Sequence, residues 1–315
     1  MIRILILCIL VVASSSAAAY PDRPINLVVP FGAGSSTDML ARVVAHGLSE
    51  RLGQPVTVEN KVGAGGGIGS SYVARSAPDG YTLLMSTNGP MAANASLYSQ
   101  LPYDPIQDFA PVILMGRLPM ILIGNNDTTA RTVGELIAEA KARPGEINFG
   151  ASNTTARVWV ELLKRMGGVD VATVLYSNVG GMMTDLMSGR ISYAFENVGP
   201  SLSQIRAQKV RALAVTSPAR AAFAPEVPTV AESGLRDHEL VVWFAMFAPR
   251  DTPGEVIERI NREVNALLQT DDLRRLAAQI GMAAAGGTPA DLRDYQQAEV
   301  RNWRQLVEMT GVQIN

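Results

Sequence analysis

The chain has 315 residues, a formal net charge of −2, 47% apolar residues and 18% charged ones. This balance describes a globular chain with room for two domains; it excludes disorder, and the lack of any basic block excludes a nucleic-acid surface. The one cysteine, Cys8, lies in an apolar stretch near the N-terminus, so the chain beyond it has neither disulfides nor thiol chemistry.

The first segment combines a positive start (Met1-Ile2-Arg3), an apolar core (Ile4 to Val12) and small residues at Ala17-Ala18-Ala19. That layout predicts a secretory signal peptide over 1–19, cleaved after Ala19. The apolar core is too short to span a bilayer. An exported chain without disulfides points to the periplasm of a Gram-negative bacterium.

Short apolar runs then alternate with helical patterns, which predicts an α/β fold. Ile25 to Val29 reads as a strand and Leu40, Val43, Val44 and Leu48 as a helix that stops at Gly53. A second strand at Val56 to Glu59 leads through the glycine run 63–69 into a helix through Ala77, and Tyr81 to Met85 forms a third strand. The extended run Ala110 to Ile123, broken by Gly116 and Pro119, suits a passage between lobes. Helix Thr132 to Ala142 follows, then a helix with Val158, Leu162, Leu163 and Met166 on one face. Val171 to Tyr176 and Ile191 to Phe195 are strands around a helix at Met182 to Met187. Val210 to Thr216 is a strand, Leu240 to Ala248 runs back, and three helices span Pro253–Gln269, Asp271–Gly281 and Pro289 to about Met309.

Two stretches echo each other. Phe31-Gly32-Ala33-Gly34-Ser35-Ser36-Thr37 and Phe149-Gly150-Ala151-Ser152-Asn153-Thr154-Thr155 each join an apolar run to a helix. A small, hydroxyl-rich turn at a helix start offers free N–H groups at the positive end of the dipole, and thus an anion site. Each copy alone reads as ordinary capping; the pair suggests an anion held from two sides. Asp38, in the first turn of the first helix, is expected to face away from such an anion.

Enzyme chemistry finds little support. The histidines are His46 and His238, too few for a zinc site, and no Gly-x-Ser-x-Gly elbow is present. Gly32-x-Gly34 with Glu59 is an incomplete dinucleotide fingerprint, because Thr37 stands at the third glycine; the run 63–69 lacks both that spacing and a P-loop ending. The chain is expected to be no enzyme and to carry no metal or cofactor. Glu196, at a strand end, reads as either a ligand contact or a solvated loop carboxylate. Met182, Met183, Met187 and Trp243 read as core.

The motifs together resemble one family, the extracytoplasmic solute receptors of tripartite tricarboxylate transporters, or Bug receptors. The resemblance runs from Tyr20 to Trp303. It includes Val29-Pro30-Phe31 with Thr37-Asp38, Val58-Glu59-Asn60-Lys61 with Gly63-Ala64-Gly65-Gly66, and Ala77-Pro78-Asp79-Gly80-Tyr81. Leu101-Pro102-Tyr103-Asp104-Pro105, Val227-Pro228-Thr229 and Phe247-Ala248-Pro249 continue it. It implies a type II periplasmic binding-protein fold, a Venus flytrap with lobe 1 at 20–121 plus 245–315 and lobe 2 at 122–244.

The resemblance further implies a carboxylate held between the lobes. Carried onto this chain, the ligand contacts are Phe31, Gly34, Ser35, Ser36 and Thr37, then Ser86, Thr87 and Asn88 in lobe 1. In lobe 2 they are Ser152, Asn153, Thr154 and Thr155, then Ser177 and Asn178, and Glu196. The implied role is a monomeric receptor that passes a small carboxylate, a dicarboxylate by preference, to integral-membrane permease subunits. A ligand sensor for a signalling kinase, or an exported oxidoreductase, is the alternative. Tyr176-Ser177-Asn178-Val179 stands where the family often has Tyr-Lys-Gly-Gly, and Glu196 where it usually has Asp, so the ligand's identity stays open.

Overall fold

A computed structural model describes residues 20–221, 224–235 and 240–313. The expected signal peptide and His238 fall outside the described residues. The elements in chain order are β1 (Ile25–Val29), α1 (Ser36–Leu52), β2 (Val56–Asn60), α2 (Gly67–Ala74), β3 (Thr82–Thr87), α3 (Asn94–Leu97), β4 (Phe109–Leu118) and β5 (Met120–Gly124). Next come α4 (Val133–Ala142), β6 (Asn148–Ala151), α5 (Thr154–Gly167), β7 (Ala172–Leu175), α6 (Val179–Met187), β8 (Tyr193–Asn197), α7 (Val198–Arg206) and β9 (Arg211–Val215). The chain ends with β10 (Val242–Pro249), α8 (Gly254–Leu267), α9 (Asp271–Ile280), β11 (Ala283–Ala284) and α10 (Pro289–Thr310).

These strands build two sheets, one per lobe, in the order β11-β4-β10-β3-β1-β2 and β7-β6-β8-β5-β9. The sheets share one plan. In the first, β1 lies between β2 and β3 and is parallel to both. In the second, β6 lies between β7 and β8 and is parallel to both. The helix after the central strand thus leads to one side and the next helix to the other. Such a switch point opens a crevice at the carboxyl end of the central strand, the place where open α/β sheets bind ligands. The sequence echo at 31–37 and 151–155 sits at these two equivalent points.

Local physics accounts for the elements. Ile25, Leu27, Val28 and Val29 of β1 have no accessible surface, as expected of a strand covered on both faces. Helix α1 begins at the extended residue Ser35, whose Oγ accepts the Asp38 N–H at 3.2 Å, and ends at Gly53 in the left-handed region. Helix α2 ends at Ala74, short of the expected Ala77. A π-helical turn at Gly89–Ala93, α3, α7 and β11 form where no element was expected.

The chain changes sheet at Pro119, between β4 and β5. It leaves the second sheet after β9, and β10 pairs along its length with β3 and β4 of the first. Met120 and Ile121 therefore pair in the second sheet, and Val242 to Phe244 in the first. The two passages are tied near their start: the Met120 N–H bonds Thr216 Oγ1 at 2.9 Å, and the Thr216 N–H returns a 2.9 Å bond to the Met120 carbonyl.

Helix α10 packs back on the first sheet through buried Leu292, Trp303, Leu306 and Val307. It starts in a capping box: Thr288 Oγ1 accepts the Asp291 N–H and the Asp291 carboxylate accepts the Thr288 N–H. Thr288→Ala is expected to remove about 1 kcal/mol of stability. Urea unfolding measures it, and an unshifted midpoint would mean that Pro289 alone sets the helix start.

Candidate functional site

The crevices of the two sheets face one cavity of about 500 Å³. This is the size of a small-molecule site. Its first wall is the turn Pro30 to Thr37, with Gly63, Gly65 and Gly66 before α2 and Thr87 to Pro90 after β3. Its second wall is Ser152 to Thr155, Ser177 to Gly180 and Asn197. Val242 and Phe244 of β10 complete it. No Asp, Glu, Lys, Arg or His is among the lining residues.

Among the described residues, three helices with side-chain caps begin in this cavity. Ser35 caps α1, Asn153 caps α5 through a 2.9 Å bond from the Ala156 N–H, and Asn178 caps α6 through a 2.8 Å bond from the Gly181 N–H. Each cap satisfies the third N–H of its helix. The first two, on Ser36 and Thr37, Thr154 and Thr155, and Val179 and Gly180, find no acceptor among the described residues. All six residues line the cavity. Positive dipole ends and unpaired donors therefore converge on one space from both lobes.

The first turn is held rigidly. Asp38 turns away from the cavity, as its charge requires, and is buried. Its carboxylate accepts from the Gly34 N–H at 2.9 Å, from Arg42 Nε at 2.9 Å and from Asn60 Nδ2 at 2.9 Å. Burial opposes its ionisation, and these bonds from Arg42, Gly34 and Asn60 outweigh burial and keep the carboxyl below the usual range. Asn60 also ties the Phe31 carbonyl at 2.9 Å. The Gly34 N–H is thus committed to the turn, and its φ of +81° is one that a side chain would strain.

The expected site residues divide in two. Phe31, Gly34 to Thr37, Thr87, Asn88, Ser152 to Thr155, Ser177 and Asn178 all line the cavity. Asn88 joins the walls directly: its Nδ2 donates to Thr155 Oγ1 at 3.0 Å and to the Val241 carbonyl at 3.3 Å. Ser86 and Glu196 are not in the lining. Ser86 is fully buried inside β3, paired with Ala245 of β10. Glu196 is fully buried behind Ser152, whose hydroxyl bonds its Oε2, while the Asn197 N–H donates to its Oε1 at 2.7 Å. Burial pushes the Glu196 carboxyl up to about 7 against the pull of those two donors.

Arg157, in the first turns of α5, donates to the Gln313 carbonyl and does not line the cavity. Sequence reasoning missed the glycines before α2, Gly89-Pro90, Asn197 and the β10 residues Val242 and Phe244. The buried Oδ1 of Asn197 has no hydrogen-bond partner among the described residues.

Comparison with known proteins gives consistent matches. The model of the tripartite tricarboxylate transporter family receptor matches residues 40–312. BugT of Bordetella pertussis is 38% identical over 307 residues, 96% of this chain and 94% of that protein. A structure from R. palustris with adipate superposes with a TM-score of 0.87 at 37% identity, covering 93% of this chain and 98% of the other. MatC from Rhodopseudomonas palustris with bound malate gives a TM-score of 0.84 at 29% identity, covering 91% of this chain and 100% of the other.

Proposed function

The chain belongs to the tripartite tricarboxylate transporter receptor family, and on that premise we propose that it is a periplasmic receptor that captures a small dicarboxylate and delivers it to a membrane permease. The observation that carries the reading is the convergence of three capped helix starts on a cavity with no charged side chain among its described lining residues. A carboxylate is acceptor-only, and the free N–H groups of α1, α5 and α6 with the nearby hydroxyls are donors. Donor groups on both walls suit an anion at each end of the ligand. Adipate and malate, held by the two R. palustris relatives, are dicarboxylates of a size that such a cavity accommodates.

Neutral donors also suit a carrier. Fixed dipoles hold an anion without a buried countercharge, whose desolvation would otherwise have to be offset at every closure. Contacts from both lobes favour the closed state, so closure reports occupancy to the permease. What supports binding over catalysis is that the groups converging on the cavity are backbone N–H groups and hydroxyls at helix starts, placed to hold an anion.

A thermal-shift screen tests the reading with mono-, di- and tricarboxylates, adipate, malate and aromatic diacids included. A ligand at about 100 times its Kd should stabilise the protein by about 2.7 kcal/mol. A panel without any shift would refute carboxylate capture. Loss of uptake on deleting the receptor gene tests delivery separately.

A further inference from the structure

Glu196 has a chemistry that a carboxylate grip does not itself require. The side chain has no accessible surface, and its hydrogen-bond partners are the Ser152 hydroxyl and the Asn197 N–H. No charge among the described residues balances it. The flanking strands β5 and β6 carry no titratable residue over Met120–Gly124 and Asn148–Ala151. On α5, Arg157 bonds the Gln313 carbonyl, Glu161 and Lys164 pair with each other and Arg165 is exposed. On α7, Arg206 is exposed. None of these faces Glu196.

Ser152 stands between this carboxyl and the cavity, and it has one hydroxyl proton. While Glu196 is ionised, that proton is directed at Glu196, and Ser152 presents the cavity with a lone pair beside the one that accepts Asn153 Nδ2 at 3.5 Å. When Glu196 is protonated, it becomes the donor and the Ser152 proton is free to point into the cavity. A ligand carboxylate needs the second arrangement, since it has no proton to offer Ser152. A ligand hydroxyl or ammonium suits the first.

We propose that carboxylate capture at Ser152 is coupled to the uptake of one proton from solvent by Glu196, so that Glu196 sets whether this wall receives an anion or a hydrogen-bond donor. The proposal rests on the carboxylate reading of the cavity. Glu196 takes the proton while the cavity is open to water, and Ser152 turns its own proton to the ligand. A side chain one methylene longer than aspartate reaches Ser152 from a fully buried strand position. The raised carboxyl makes protonation inexpensive near neutral pH.

The sign follows from linkage. Binding favours the protonated form, so affinity is flat well below the free carboxyl's midpoint of about 7 and falls above it. The limiting slope is about tenfold per pH unit. Calorimetric titration with adipate and with malate, at pH 6 to 9 and in two buffers of different ionisation enthalpy, reads both affinity and protons. Both probes are fully ionised over most of that range, so their own titration adds little.

The expected result for the parent protein is weakening of roughly fivefold between pH 7 and 8 and roughly tenfold between 8 and 9, with about one proton taken up per ligand at pH 8 or above. Glu196→Gln is expected to remove both effects. Its amide donates to Ser152 as the protonated acid would, and its carbonyl still accepts the Asn197 N–H. At pH 8 the variant should bind about tenfold more tightly than the parent. Binding by the parent with a flat pH profile and no proton uptake would overturn the coupling while leaving carboxylate capture standing. Failure of both probes at every pH, together with a carboxylate panel without any thermal shift, would remove the carboxylate reading and the coupling with it. The proton count on the parent decides the matter even if the variant folds poorly.

Discussion

Substituting proline for Ser36 is expected to weaken dicarboxylate binding by roughly ten- to a hundredfold and to leave the unfolding midpoint of the free protein within about 2 °C of the parent. Ser36 is the first residue of α1, and its N–H has no acceptor in the helix or elsewhere among the described residues. Proline is favoured at that position: its ring presets a helical φ, and the N–H that it lacks is one the helix does not use. The residue before a proline must be extended, and Ser35 already is, at φ −66° and ψ 157°. The substitution therefore deletes one anion donor while leaving the helix intact. A hydrogen bond to a charged group is worth about 1.5–3 kcal/mol, which sets the expected factor. Ser36→Ala keeps the N–H and should keep most of the affinity, which separates the backbone donor from the hydroxyl.

The same substitution maps the other wall. Thr154 and Val179 are the first residues of α5 and α6, and the caps before them, Asn153 (φ −152°, ψ 169°) and Asn178 (φ −152°, ψ 155°), are extended too. Thr154→Pro and Val179→Pro thus test the second lobe on equal terms. A ligand bridging the walls should lose affinity in Ser36→Pro and in at least one of these two. Unchanged Kd values by calorimetry in all three variants would exclude the helix starts as the anion grip.

These helix starts were largely legible in the sequence because a cap is a local event. Ser35 and Asn153 each sit between an apolar run and a helical pattern, and their hydrogen bonds reach only three residues ahead. Asn178 behaves identically, but Gly180-Gly181 reads as a helix breaker, so the expected helix began at Met182 rather than Val179. Helix α7 was hidden by Val198-Gly199-Pro200 in the same way. Pro200 lies in the first turn, where a missing N–H does no harm.

Strand parity was the harder matter. Ser86 and Thr87 are adjacent, so they point to opposite faces, and only Thr87 lines the cavity. Glu196 and Asn197 repeat the pattern: Asn197 lines the cavity and Glu196 is buried behind Ser152. Which member of such a pair faces the cavity depends on a register with distant strands, β10 for the first and β5 for the second. No local signal encodes it. Strand β10 hid its contribution for another reason: all eight of its residues are buried, and nothing in so continuous an apolar run marks Val242 and Phe244, which floor the cavity.

Trp159→Ala is expected to remove about 3–5 kcal/mol of stability, the cost of emptying a fully buried indole site. For a chain of this length that is a fall of roughly 10 °C in the unfolding midpoint. The ring stacks on Phe195 of β8 at 5.5 Å, and its Nε1 donates to the Leu240 carbonyl at 2.9 Å. Removing it opens a void between α5 and β8 and leaves a buried carbonyl unpaired, and neither fault relaxes easily in a packed core. Trp159→Phe fills most of the void and lacks only the donor, so it should cost about 1–3 kcal/mol. The gap between the two variants isolates packing from the hydrogen bond.

The effect should extend to binding. Trp159 sits on the helix whose start forms one wall, against the strand that holds Glu196, and it bonds the segment that leads into β10. Loosening that junction lets α5 rotate away from the cavity, so the alanine variant should bind a dicarboxylate more weakly even at temperatures where it is folded. Denaturant unfolding and calorimetry on the same preparations measure both effects. A loss of less than about 1 kcal/mol, with unaltered affinity, would show that the neighbouring aromatic rings collapse into the void and hold α5 in place without the indole.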